Sequence, residues 1–574
     1  MGYPYTLKPL RLLCAILFSV FLNFPDLHAQ DASDNRSLKI SGGLRLSNDF
    51  YTSSGIDPRR DALQWRAVAN LNLNFAGISA PFSLAFSDGN QEFNLPSYTF
   101  VGISPTYKWA TLHLGDRSIN YSKYTLSGIN FRGAGFELKP GNFYVSGMYG
   151  QLRRARAEDL NSQQMLDPSY RRMGYGMKMG YRGKGSEYSV ILFGADDDEG
   201  SIGQPIATTL TPANNAIISG IVKQKLGKRL SADLELAHSV YNADRRAEDL
   251  TDANTDFGNQ IFGLFTPNET AIDGNAYRAK LNYGLKGMNL QGGYERIERG
   301  FRTLGALFFL SDAEYYTAGF SKTFMKNKMT FFANGGLERT NLDDFEKNGT
   351  RRLVGSLNLS YIPNEKWLFN TSYSNFENTT RLKTFDPTTI VDSLILAQTT
   401  QAGNAVATYN ISSRENPSSL TLVLSYQQAN SIIDDVVQDD AKSQFFNGSL
   451  MYSKTQSLQD LRFTAALNYN QTELSMLNNS TLSPTIGLTK GFYERKLQTT
   501  FRTTYNLISS QNRGNSNVLN LTLGATYLYQ DDHSFSFSTS FINRTGGSQE
   551  FPSFSEWYGR LAYGYRFGGN LRLY

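Results

Sequence analysis

The stretch "ALQWRAVANLNLNF", residues 62–75, decides the fold. Every odd position from Leu63 to Phe75 is apolar: Leu63, Trp65, Ala67, Ala69, Leu71, Leu73 and Phe75. The even positions carry Gln64, Arg66, Asn70, Asn72 and Asn74, with Val68 the one exception. Alternation with period 2 is the signature of a β-strand with one apolar face. Two environments fit it. A soluble sheet packs one face on a core and wets the other. A membrane barrel turns one face to lipid and the other to a wet lumen.

The pattern recurs along the chain. "RRMGYGMKMGYRG" places Met173, Tyr175, Met177, Met179 and Tyr181 on one face. "AYRAKLNYGL" places Tyr277, Ala279, Leu281, Tyr283 and Leu285 opposite Arg278, Lys280 and Asn282. "NVLNLTLGATYLY" does the same with Leu519, Leu521, Leu523, Ala525, Tyr527 and Tyr529. No stretch has helical periodicity of comparable quality.

The connections sort by length. Short turns fall near 77–81, 104–106, 139–142, 183–187, 226–229, 286–288 and onward, several with turn chemistry such as "KPGN" and "GKGS". Between them lie longer polar connections, among them 47–61, 116–129, 240–273, 376–402 and 428–442. Short periplasmic turns alternating with long outer loops are the rule for membrane barrels. The expected fold is therefore all-β: a transmembrane antiparallel up-and-down β-barrel of about 26 strands, within 24–28, spanning residues 38–574.

Composition agrees. The 574 residues are 40% hydrophobic, yet include 33 Tyr and 38 Phe. Mean hydropathy is −0.38. Lys8 and Arg11 precede an apolar run from Leu12 to Leu22, and the small residue Ala29 follows. That predicts a Sec signal peptide over residues 1–29 and a short periplasmic segment over 30–37. The run is too short to span a bilayer as a helix. The single cysteine, Cys14, lies inside it, so the mature chain has neither disulfides nor thiol chemistry. The net charge of +5 is small for this length, and no Lys/Arg run points to nucleic acid.

Aromatic pairs bracket several short turns: Tyr181 and Tyr188, Tyr361 and Trp367, Tyr529 and Phe535. Amphipathic rings prefer the headgroup level, so these are expected to form an inner girdle. The last strand, "WYGRLAYGYRF", turns Tyr563, Tyr565 and Phe567 outward, and the chain ends on Tyr574. This ending resembles the assembly signal of bacterial outer-membrane proteins, and so implies outer-membrane lipid and the insertion machinery as partners. The segment "YKWATLHLGDRSINYSKYTLSGINFRGAGFELKPGNFYVSGMYGQLRRA", within residues 107–155, resembles a stretch of large outer-membrane barrel proteins of Bacteroidota-type Gram-negative bacteria. The resemblance implies location and fold, and it carries no catalytic residues. A plug domain or a usher's extra soluble domains would not fit in residues 30–37.

Candidate chemistry is sparse. His113, His238 and His533 stand far apart in the sequence, with no nucleophile elbow or metalloprotease motif. No enzyme activity and no cofactor is expected. "ADDDEG" offers Asp196, Asp197, Asp198 and Glu199 as oxygen ligands for Ca²⁺, although the spacing is not that of an EF-hand and a solvated loop end explains it as well.

Apolar runs in long connections are the sharper signal. They are "IFGLF" (Ile261, Phe262, Leu264, Phe265), "LGALFFL" (Leu307, Phe308, Phe309) and "SLILA" (Leu394, Ile395, Leu396), with a fourth, "IIDDVV", beginning at Ile432. Exposed apolar surface marks an interaction site. These loops are expected to fold inward as a cap or to dock a surface or periplasmic protein. A barrel of this size with an open lumen would leak small solutes, so the lumen is expected to be occupied. The expected role is a non-enzymatic scaffold, or a loop-capped or partner-occupied component of an envelope complex for secretion, assembly or surface-lipoprotein handling. The alternative is a stand-alone porin-like channel.

Overall fold

A computed structural model describes residues 37–87, 99–157, 168–203, 210–250, 265–306, 310–342, 348–382, 394–411, 416–433, 436–474, 477–511, 514–546 and 552–572. Residues 1–36, which include the expected signal peptide, and residues 573–574 lie outside the described residues. The strands in order are β1 (Ser37–Ser54), β2 (Leu63–Phe75), β3 (Ile78–Ser87), β4 (Thr99–Ile103), β5 (Thr106–Tyr107), β6 (Ala110–Arg117), β7 (Phe131–Leu138), β8 (Phe143–Arg153) and β9 (Arg171–Arg182). There follow β10 (Ser186–Asp198), β11 (Asn214–Leu226), β12 (Leu230–Asn242), β13 (Ala271–Leu285), β14 (Met288–Ile297), β15 (Ala313–Phe324), β16 (Met329–Thr340), β17 (Asn348–Tyr361) and β18 (Trp367–Leu382). The last are β19 (Leu394–Asn410), β20 (Ser418–Ile433), β21 (Val436–Gln456), β22 (Leu461–Leu474), β23 (Leu477–Phe492), β24 (Leu497–Ser510), β25 (Ser516–Tyr529), β26 (His533–Gly546) and β27 (Phe554–Arg572).

Successive strands pair antiparallel, and β1 pairs β27 from Ser37↔Arg572 to Ser54↔Ser555, which closes the sheet on itself. β4 and β5 are two pieces of one barrel strand, so the barrel has 26 strands. The break falls at Ser104–Pro105, where proline cannot donate to the ladder. The short turn expected at 104–106 is therefore this break; the chain reverses at Lys108–Trp109, between β5 and β6. A tight turn at Ala76–Gly77 holds φ at 50° and 81°, the left-handed pair that a two-residue hairpin of this hand requires.

One strand parity carries large exposed apolar side chains around the wall: Leu63 and Trp65 on β2, Met177 and Met179 on β9, Leu236 on β12, Leu422 and Leu424 on β20 and Leu561 on β27. Leu236 is 60% exposed. The other parity carries polar residues and, on one flank, a buried apolar cluster. The outward belt is exposed to whatever surrounds the barrel, and only lipid makes that favourable. No helix among the described residues is long and apolar enough to cross a membrane; the chain crosses with strands. The chain is an outer-membrane β-barrel.

Aromatic residues pair across strands beside the short turns. Tyr181 and Tyr188 are register partners, Trp367 lies 4.7 Å from Tyr409 between ring centroids, and Phe535 lies 5.1 Å from Tyr563.

Two expected loops are largely strand. β18 runs to Leu382 and β19 starts at Leu394, so 376–402 is not one connection, and Leu394, Ile395 and Leu396 belong to β19. β20 runs to Ile433 and β21 starts at Val436, so only 434–435 separates the halves of 428–442, and "IIDDVV" is strand at both ends. The length sorting thus fails on this flank, where the outer connection 475–476 is just as short. The reason is that hydrogen bonding outlasts the apolar pattern. Above the lipid the outward residues become polar and bond along the strand: Tyr426 to Gln428 to Asn430, and Tyr469 to Gln471 to Glu473. The ladder continues because its backbone groups still need partners.

Candidate functional site: a loop-built core inside the lumen

The buried core of this protein lies inside the barrel, on one flank. Its wall side is Met148 of β8, Ile191, Phe193 and Ala195 of β10, Ile217 and Ile221 of β11, Ala237 of β12, Ala276 of β13 and Ile297 of β14. All share the inward parity. Its lumen side comes from the connection between β6 and β7, residues 118–130, with Ile119, Tyr121, Tyr124, Leu126 and Ile129, and from the connection between β14 and β15 with Phe301 and Leu304.

The first segment folds as a tight turn. Tyr121 N donates to Leu126 O at 3.0 Å, Thr125 N donates to Ser122 O at 3.3 Å, and Gly128 N donates to Asn120 Oδ1 at 3.1 Å. The second lies along it: Ser127 N donates to Gly305 O at 2.9 Å, and Thr303 Oγ1 donates to Thr125 O at 2.8 Å. Tyr124 meets Phe301 edge-on at 5.9 Å.

Polar bonds pin both segments to the wall. Lys178 Nζ of β9 donates to Tyr121 O at 3.0 Å, and Tyr121 Oη donates to Gly176 O at 3.1 Å. Asn215 Nδ2 of β11 donates to Arg302 O at 3.1 Å, and Ser239 Oγ of β12 donates to the same oxygen at 2.5 Å. Glu295 of β14 accepts from Lys123 Nζ at 2.5 Å and from Tyr124 Oη at 2.9 Å. Beneath Tyr124, Arg278 of β13 pairs at 2.5 Å with Glu235 of β12, which is fully buried and also accepts from Ser219 Oγ. The Arg278 guanidinium lies 5.8 Å from the Tyr124 ring centre. Burial pushes the Tyr121 phenol up to about 12, and pushes the Tyr124 phenol up further, aided by the Glu295 carboxylate. Both hydroxyls therefore remain donors at any physiological pH.

Gly305 makes the close approach possible. A Cβ there would stand 2.3 Å from Thr125 O and 2.6 Å from the Phe193 ring. Gly305→Ala is expected to cost about 1–3 kcal/mol of overpacking and to lift the second segment off the first. In planar bilayers the variant should show higher or noisier conductance than the wild type. Unchanged traces would mean that the two segments do not move together.

Inward folding was expected of other residues. Of "LGALFFL", Leu304 packs on the lumen core, while Leu307, Phe308 and Phe309 lie outside the described residues. Of "IFGLF", Ile261, Phe262 and Leu264 lie outside them, and Phe265 is buried against Ala216 and Val240. Those two share the outward parity of Val222 and Leu236, so Phe265 leans on the outer side of the rim, not into the lumen. No apolar run marks residues 118–130, because their apolar residues never stand together. Ile119, Tyr121, Tyr124, Leu126 and Ile129 recur every two to three positions within one connection, and that recurrence was the available signal.

The four acidic residues of "ADDDEG" do not converge on an ion. On β10 the side chains alternate, with Asp197 inward and Asp196 and Asp198 outward. Asp197 accepts from Arg172 at 2.8 Å and Arg153 at 3.1 Å, Asp198 pairs with Arg171, and Glu199 pairs with Arg245 at 3.4 Å. Among the described residues no group of three His, Cys, Asp or Glu is placed to hold a metal. The histidines also stay apart: His113 bonds Ser104, His238 bonds Asn275 and His533 bonds Tyr563.

No protein-family model matches the chain, and no curated protein matches it. Solved structures of outer-membrane barrels do align with it. The P pilus usher (PapC) translocation pore aligns at 11% identity, covering 92% of this chain and 99% of its own, with a TM-score of 0.37. The FrpB iron transporter from Neisseria meningitidis aligns at 13% identity, covering 92% and 82%, with a TM-score of 0.38. Pseudomonas aeruginosa OccK2 aligns at 10% identity, covering 92% and 98%, with a TM-score of 0.27. Likeness at this level assigns no role.

Proposed function

We propose that this barrel is the outer-membrane component of an envelope complex and that a protein partner fills the part of its lumen that its described segments leave open. Size carries the reading. Strands about 4.8 Å apart and tilted about 40° set 26 of them roughly 50 Å across, backbone to backbone, if the section is circular. The described inward segments cover only the flank from β6 to β15. Among the described residues, a layer of side chains and chain about 10 Å thick leaves a passage far wider than that of a diffusion porin. Such a hole, left empty, would defeat the membrane as a barrier.

The uncovered flank suits a sliding or exchanging occupant. Its inward faces carry Ser372 and Ser374 on β18, Asn404 on β19, Ser425 and Gln427 on β20, Asn447 on β21 and Asn470 on β22. These are neutral donors and acceptors that bind any polypeptide surface weakly, without the commitment of a charge pair.

Photo-crosslinking in cells tests the reading. A crosslinker at Ser372, facing the lumen, should capture a discrete protein, while one at Tyr373, facing lipid, should not. Lumen positions that capture no protein, together with cells permeable to large antibiotics, would favour the stand-alone channel.

A further inference from the structure

On the outward surface, the register of four adjacent strands lines up a row of charges. Arg296 of β14 is opposite Glu314 of β15, Glu314 is opposite Arg339 of β16, and Arg339 is opposite Arg351 of β17. All four share the outward parity of the exposed Tyr316 and Leu353. No short sequence window contains this row, since its members span residues 296–351.

Its height places it at the outer headgroups. Along β17 the outward face runs from Tyr361, beside the short turn to β18, to Arg351, about ten residues away. At about 3.4 Å per residue and a tilt of about 40°, that is roughly 26 Å, the height of an apolar band. An outer aromatic pair confirms the level: Tyr294 and Tyr316 stand one outward position below Arg296 and Glu314, with ring centroids 5.1 Å apart. Tyrosines prefer the interface, with cationic residues just above them.

The row holds three guanidinium groups and one carboxylate. Glu314 is nearly buried and accepts from Tyr294 Oη at 2.8 Å and from Arg339 at 3.4 Å. It pairs with Arg339, while Arg351 stands one strand further on; a second carboxylate, Glu298, lies beside Tyr277, the register partner of Arg296, so the excess positive charge centres on Arg339 and Arg351. Arg339 and Arg351 remain exposed. Guanidinium groups bind phosphate with paired donors, and acyl chains below would lie along the apolar belt.

We infer that Arg296, Arg339 and Arg351 form a docking site for the phosphate-bearing headgroup of an outer-leaflet lipid. The site is independent of what fills the lumen. Its source is a lipid, not free phosphate, because the cations stand directly above lipid-facing side chains.

The test uses the full-length barrel in phosphatidylcholine nanodiscs, titrated with bis-phosphorylated lipid A and read by native mass spectrometry. The wild type should retain the lipid, and the triple change R296Q/R339Q/R351Q should weaken retention on the order of 100-fold. The lumen-facing change R502Q should leave it unchanged. Dephosphorylated lipid A should bind the wild type no better than it binds the triple variant. Equal retention by wild type and triple variant would overturn the site, as would equal binding of phosphorylated and dephosphorylated lipid. Displacement by inorganic phosphate at equal concentration would overturn the lipid assignment. If the triple variant does not fold, judged by heat-modifiable gel migration, R351Q alone decides: a loss of about fivefold supports the site, and no loss overturns it.

Discussion

Arg278→Met should destabilise the barrel by about 3–5 kcal/mol, because it leaves the buried Glu235 carboxyl beneath the lumen core without its counter-charge. Glu235 is fully buried, and its partners are Arg278 at 2.5 Å and Ser219 Oγ at 3.3 Å. One serine hydroxyl cannot replace a guanidinium. The double change Glu235→Gln with Arg278→Met should recover most of the loss, since a neutral amide needs no counter-charge. Urea-dependent unfolding from lipid vesicles measures both. If the single change costs less than about 1 kcal/mol, water reaches Glu235, and the segments from residues 118 and 298 do not seal this flank. The same experiment reads the coupling of wall to loop. Arg278 sits under Tyr124, and Tyr124 is tied to Glu295, so losing Arg278 should also loosen residues 118–130.

The second large effect falls on the opposite face of the sheet. Leu71→Arg should cost about 2–4 kcal/mol near the bilayer midplane, while Asn72→Arg should cost little. Leu71 shares the outward parity of the exposed Leu63, Trp65 and Phe75, and Asn72 points into the lumen beside Ser79. Folding yield and stability in vesicles compare the two. Equal costs would mean that the odd residues of 63–75 do not face lipid.

The comparison of Leu71 with Asn72 could be drawn without any structure, whereas that of Arg278 with Glu235 could not. Alternation along "ALQWRAVANLNLNF" is a property of consecutive residues, because neighbouring side chains on a strand point to opposite faces wherever the strand goes. The barrel class, the strand number and the facing of β2, β9, β13 and β25 all follow from that local rule and from short turns. It misplaces strand ends where the outward residues become polar while the ladder continues, as at Gln428 and Gln471. It also makes "ADDDEG" look like one cluster, although the pleat divides it between two faces and arginines from β8, β9 and the β12–β13 connection claim the carboxylates.

Tertiary structure alone decided the rest. Whether residues 118–130 rise into solvent or turn into the lumen depends on what the wall offers there: Phe193 and Ile217 for packing, Lys178 and Glu295 for pinning. Those wall residues come from strands 50 to 180 positions further on. The row Arg296, Glu314, Arg339 and Arg351 likewise exists only through register, which sets which rungs of four strands share a level. Facing is local, with a period of two residues, and so it is written in each strand by itself. Register and loop direction are set by partners distant in the chain, and only the closed barrel brings those partners together.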